Sequence, residues 1–173
     1  MISLALVVVC VALRLLPHPP NFAPVGATAV FAGRTLPRWS AIAVALGAMA
    51  LGDIGLSALH GYPPVTAVTP FVYAGFVGQV LLGRALRAAR GGALAAACLG
   101  ALVFFALSNF GVWLTGYYGM TPAGLVACYV AALPFLAGTL AGDLLWTITL
   151  GLAHRALTRR FATYTAPASL PVL

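Results

Sequence analysis

Asp53 and Asp143 are the only acidic residues in this 173-residue chain, and both lie inside apolar runs, ALGDIGL and LAGDLLW. A carboxylate in hydrocarbon costs roughly 2.5–3.5 kcal/mol even on the lenient insertion scale, so each should face a bundle interior and have a partner. Arg14, at the end of the first apolar run, is placed to pair with Asp53. An Arg14–Asp53 pair would neutralise both charges, either as a structural ion pair between the first and third spans or as part of a ligand contact. Asp143 has no evident basic partner. It could be protonated, cap a broken helix or take part in proton coupling, although no chain of titratable neighbours accompanies it.

The remaining unusual polar and aromatic residues gather at one side of the expected membrane. His18 and Asn21 lie in the first loop, His60 and Tyr62 in the third, and Tyr73 on the fourth span. Asn109 and Trp113 stand at i, i+4 on the fifth span, followed by Tyr117, Tyr118 and Met120 in the next loop. Interfacial Trp and Tyr ordinarily form an aromatic belt. Asn109 differs, because a buried amide has four hydrogen-bonding valences to satisfy. A polar group flanked by aromatics, converging with loop residues, is the usual make-up of a small-molecule pocket; an interhelical hydrogen bond is the alternative. His18 and His60 are two isolated loop histidines, so no metal centre is expected. No Ser/His/Asp set, HExxH or usable carboxylate pair occurs, so no enzyme is expected either.

The elements that must position these residues are membrane spans. The chain is 62% hydrophobic and 6% charged, with a mean hydropathy of +1.05, whereas soluble domains carry about a quarter charged residues. Six spans of roughly 20 residues would use nearly the whole length. Arg34 and Arg38 fall after the second apolar run, Arg84, Arg87 and Arg90 after the fourth, and Arg155, Arg159 and Arg160 after the sixth. Residues 17–21, 58–66 and 117–121 contain neither lysine nor arginine. Basic residues near span ends stay cytoplasmic, so the alternation predicts six transmembrane helices with both termini inside. The net charge of +7 then reflects anchoring beside anionic lipid rather than nucleic-acid binding.

The expected spans are about Ile2–Leu16, Pro24–Gly33, Trp39–Leu59, Ala67–Leu86 and Gly92–Thr115. Ala41, Ala45 and Ala48 form one small-residue packing face, and Gly92, Ala96 and Gly100 another. One straight helix over Pro122–Leu157 would reach roughly 50 Å, so Pro134 is expected to divide it. Pro122–Leu133 becomes a short outer-side or re-entrant piece, and Pro134–Ala156 the sixth span. Residues 1–160 then form a single transmembrane domain, and 161–173 a disordered cytoplasmic tail. Cys10, Cys98 and Cys128 show no CxxC spacing, which argues against disulfides or zinc. The N-terminus lacks a basic n-region and an A-x-A-like site, so its apolar run reads as a retained span.

RLLPHPPNFAPVGATAVFAG (Arg14–Gly33), LGDIGL (Leu51–Leu56), FFALSNFGVWLTGYY (Phe104–Tyr118), GLVACYVAALPF (Gly124–Phe135) and Gly142–Asp143 carry a resemblance. Together they look like a family of small bacterial six-span proteins that is similar to the substrate-binding S-components of energy-coupling-factor (ECF) vitamin transporters. Within these the likeness is closest to the BtuM-type cobalamin transporters. It implies an all-α S-component-like bundle in the bacterial inner membrane, binding a vitamin near the outer face. His18, Asn21, His60, Tyr62, Tyr73, Asn109, Trp113 and Tyr118 would line or cover that pocket. Cobalamin would be the substrate rather than a permanent cofactor, with His60 able to take an axial position on cobalt. BtuM-type proteins resemble one another in a cysteine near the third-loop side of the pocket, and residues 53–97 here contain none. The A-x-x-x-A face by which S-components dock on a coupling subunit is also missing, since Ala5 is followed at i+4 by Val9. Docking on an ECF module therefore stays open.

Three function classes follow: an importer of cobalamin or a related corrinoid, an importer of another vitamin or small heterocycle on the same fold, and a non-transport structural or assembly protein.

Overall fold

The computed structural model describes residues 2–17, 19 and 21–165. Among them are six helices and no strand: α1 (Ile2–Leu15), α2 (Val25–Thr35), α3 (Arg38–His60), α4 (Thr69–Ala85), α5 (Gly92–Leu114) and α6 (Pro122–Thr165). Three of them, α3, α5 and the Pro122–Arg160 part of α6, are long and apolar enough to cross a membrane. The exterior agrees with a membrane protein. Leu4, Val8, Ile54, Leu99, Val126, Val130, Leu145 and Ile148 all point outward, a distribution that a water-soluble surface would not sustain.

The interior is built from small side chains instead. Ala41, Ala45 and Ala48 on α3, and Gly92, Ala96 and Gly100 on α5, are buried along the two packing faces expected for them. Lipid tails are as apolar as leucine, so close backbone packing, rather than exclusion of apolar surface from water, holds such helices together.

At the centre stands α2. It is only 11 residues long, roughly 16 Å at 1.5 Å per residue, and it packs against all five other helices. Its contact with α4 is the closest. A Cβ at Gly33 would strike the Val80 carbonyl, and one at Gly83 would strike the Val30 carbonyl. The two backbones therefore touch at a reciprocal pair of glycines. At the end of α2, Arg34 donates to the carbonyls of Leu86 and Arg87 at 2.9 and 3.1 Å. That bond holds the arginine-rich α2–α3 and α4–α5 connections at one end of the bundle.

The division expected at Pro134 does not occur. The segment is one 44-residue helix with Pro134 inside it, roughly 66 Å at full extension. Proline inside a membrane helix is tolerated because neighbouring groups and local adjustment satisfy the freed carbonyl, and α5 supports this half of α6. Tyr129 donates to the Ala106 carbonyl at 2.6 Å, and the Cys128 thiol to the Asn109 carbonyl at 3.4 Å. The helix also continues to Thr165, five residues into the expected tail (165 against 160); residues 166–173 lie outside the described residues.

Candidate functional site

The connection from α1 to α2 turns inward at its end: Asn21 is exposed, Phe22 and Ala23 are half-buried and Pro24 is buried. Asn21 takes the left-handed conformation (φ 58°), which asparagine adopts more readily than most residues. The next carbonyl, Phe22, accepts a 2.9 Å hydrogen bond from the Trp146 indole N–H. Trp146 is in the middle of α6, so the loop is drawn inward and α2 begins at depth.

A helix that starts inside a bundle exposes backbone N–H groups that need acceptors. Pro24, at the N-cap, supplies no side-chain bond. Asp143 supplies it from another helix, accepting from the Ala27 backbone N–H. Its second donor is Gln79 Nε2, from α4, at 3.0 Å. Asp143 is 3% exposed and Gln79 1%. The carboxylate reaches α2 only because residue 26 is glycine: a Cβ there would overlap both carboxylate oxygens. Negative charge at a helix N-terminus is favoured by the macrodipole, up to about 2 kcal/mol where partly buried.

A second cluster lies beside the first. Arg14 Nη2 donates to Asp53 Oδ1 at 2.6 Å, with side-chain exposures of 16% and 17%. Tyr73 donates its hydroxyl to Asp53 Oδ2 at 3.2 Å. The cluster joins α1, α3 and α4.

Three adjoining cavities open between these groups. The central one, about 240 Å³, is lined by Arg14, Asn21, Gly26, Met49, Phe76, Gln79, Phe104, Thr139 and Asp143 among others. It shares Met49 and Val72 with a cavity of about 230 Å³ that includes Asp53, Tyr62, Pro63, Thr66 and Tyr73. On its other side it shares Asn21, Phe104 and Thr139 with one of about 250 Å³ that includes Phe105, Ser108, Asn109 and Phe135.

Six expected residues thus come together around these spaces: Arg14, Asn21, Asp53, Tyr62, Tyr73 and Asn109. Others are engaged elsewhere and line none of the three. His60 is exposed, stacks on Tyr62 (5.7 Å, 9°) and has Nδ1 within 3.3 Å of the Leu56 carbonyl. Trp113 gives its indole N–H to the Gly119 carbonyl at 3.1 Å, which pins the α5–α6 loop. Tyr118 packs edge-on against Tyr117. The Asn109 side chain lines a cavity, yet it gives its amide N–H to the Phe105 carbonyl of its own helix at 2.8 Å. His18 lies outside the described residues. Among those described, no group of three or more His, Cys, Asp or Glu could hold a metal ion.

The sequence reading does not single out Gln79, and it leaves the role of Asp143 open. The available signal was that Gln79 is the only glutamine, set in the apolar run GFVGQVLLG. With two acids in the whole chain, a lone amide on another span was a natural partner for one of them.

A family model described as a family of unknown function, DUF6580, matches residues 1–168. No curated protein and no solved structure matches the chain.

Proposed function

The chain belongs to the DUF6580 family, a family of unknown function, and from the geometry of the site we propose that it is a substrate-binding membrane importer. In this reading it is an S-component-like bundle that crosses the bacterial inner membrane six times, with both termini cytoplasmic. The solute enters from the side opposite the arginines and occupies the cavities around the start of α2.

The observation that supports it most is the half-length α2, whose N-terminus lies beside a partly polar cavity inside the bundle. Secondary transporters build substrate sites from discontinuous helices in the same manner, with a helix end directed at the ligand near mid-bilayer. Irregular backbone at that depth is otherwise unfavourable unless it is buried in protein or lines a cavity.

The cavities are individually small, at about 230–250 Å³, just below the usual range for drug-sized ligands of about 300–1,000 Å³. This favours a vitamin-sized ring compound over a corrinoid. A corrinoid would need the three spaces to merge, with His60 approaching cobalt from the exposed rim.

Purification without added ligand, followed by mass spectrometry of co-purifying compounds, tests the reading together with uptake of the identified compound into cells expressing the protein. A retained small heterocycle whose uptake depends on the protein is the expected result. Titration with cobalamin is the companion measurement. Binding accompanied by a shift of the corrin absorbance bands would turn the assignment to corrinoids. Absence of any retained solute and of any uptake would refute import.

A further inference from the structure

An anion is what the N-terminus of a buried helix ordinarily attracts, but at α2 that place is already taken by Asp143. The protein's own carboxylate accepts the Ala27 N–H, so at the start of α2 the cavity wall presents an acceptor, across from the Arg14 guanidinium that Asp53 holds. A carboxylate offers about four lone-pair positions. Ala27 and Gln79 Nε2 fill two of them.

Gln79 extends the pattern. Its amide nitrogen is turned to Asp143, and its oxygen, Oε1, is buried without a hydrogen-bond partner among the described residues. Reversing the amide would set oxygen against a carboxylate oxygen. A buried acceptor left unsatisfied costs about 1–3 kcal/mol, and Gln79 lines the central cavity.

The charge balance points the same way. Arg14, which also lines the cavity, forms its ion pair with Asp53, and among the described residues Asp143 has no ion-pair partner. Phe76 and Phe104, 4.9 Å apart, form part of the wall, and aromatic faces attract cations.

We infer that the central cavity recognises its solute through an N–H donor, so that the ligand is a small organic cation or an amine-bearing ring rather than an anion. Asp143 and Gln79 Oε1 accept from the N–H groups, and Phe76, Phe104 and Met49 hold the apolar body. This rests on the reading that the cavity takes a solute, but not on transport.

The test uses the full chain in nanodiscs and three probes by isothermal titration: benzamidine, a planar cation with N–H donors; benzoate, its anionic counterpart; and benzyltrimethylammonium, a cation without N–H. Benzamidine should bind at least about ten-fold more tightly than either of the others. Gln79→Leu should weaken benzamidine about ten-fold and leave benzyltrimethylammonium unchanged. Asp143→Asn should weaken both cations. Because Asp143 also caps α2, that variant counts only if it elutes as folded protein; otherwise Gln79→Leu alone decides. Benzoate binding as tightly as benzamidine, benzamidine failing to bind, or Gln79→Leu without effect on it would overturn the inference. Gln79-dependent benzamidine binding with no uptake of any solute would retain it and remove import. Uptake of an anionic solute through this cavity would do the reverse.

Discussion

Arg14 and Asp53 are each tolerable only in the presence of the other. Removing one partner of a buried pair strands the remaining charge and can cost roughly 3–5 kcal/mol, whereas removing both is often nearly neutral. These side chains are still 16% and 17% exposed, so the lower end of that range applies. Arg14→Leu and Asp53→Leu should each lower the melting temperature, and the double variant should recover most of the loss; strictly additive effects would show that the pair is not coupled. Gly26 makes a second prediction at this scale. Gly26→Ala brings a methyl group onto the Asp143 carboxylate, and overpacking of this kind costs about 1–3 kcal/mol. Adding Asp143→Ala should relieve the clash, so the double variant should be more stable than the two single effects summed. Circular-dichroism melts in detergent would read both cycles. Pairing of Arg14 with Asp53 was legible from charge scarcity alone. The Gly26–Asp143 approach was not, because nothing in a sequence shows which glycine a distant carboxylate will lie against. For Trp113 the ring and its place beside Asn109 suggest ligand stacking, and the structure adds what the sequence does not show, an indole N–H directed to the Gly119 carbonyl.

Among the elements, the α2–α4 contact sets the bundle's tolerance most tightly. Gly33 and Gly83 each oppose a carbonyl of the other helix, so a side chain at either position must push two backbones apart. Gly83→Leu should cost more than Gly83→Ala, and either should lower the yield of folded protein more than Gly47→Ala, a helical position with open space around it. Size-exclusion profiles of the three variants would rank them; a ranking with Gly47→Ala lowest would be inconsistent with the close contact. The shortness of α2 could be read from its flanking prolines, and the small-residue faces of α3 and α5 from their spacing. The continuity of α6 could not. Proline predicts a break on local grounds, whereas the hydrogen bonds from Cys128 and Tyr129 to α5 that hold this half of the helix are tertiary.

At the scale of the whole molecule, the arginine alternation that predicts sidedness coincides with a physical end of the bundle, where Arg34 ties α2 to the α4–α5 connection. In a background lacking Cys10, Cys98 and Cys128, a cysteine replacing Arg87 or Arg159 should resist a membrane-impermeant maleimide in intact cells. One replacing Gly61 or Gly119 should react; labelling at position 159 from outside would contradict the proposed sidedness. The early position and late completion of α2 also bear on how the chain is made. As a helix VGATAVFAGRT covers by itself only about half of a bilayer of about 30 Å, the loop before it making up the rest of that crossing, and it carries two glycines, two threonines and an arginine among its 11 residues. Leaving the ribosome second, it has no stable place in lipid until α3 and α4 can flank it. Its N-terminus has no acceptor until the last helix delivers Asp143. Biogenesis should therefore pass through a stage in which α2 is provisional, with its first turn wetted or held by insertion machinery. A cysteine at Ala23 should be reachable by a small water-soluble maleimide in released chains truncated at residue 120, which hold α1–α5 without α6, and shielded in the full chain. Protection already complete at residue 120 would mean that α1, α3, α4 and α5 close around α2 unaided, leaving the last-made helix to fasten a structure already assembled.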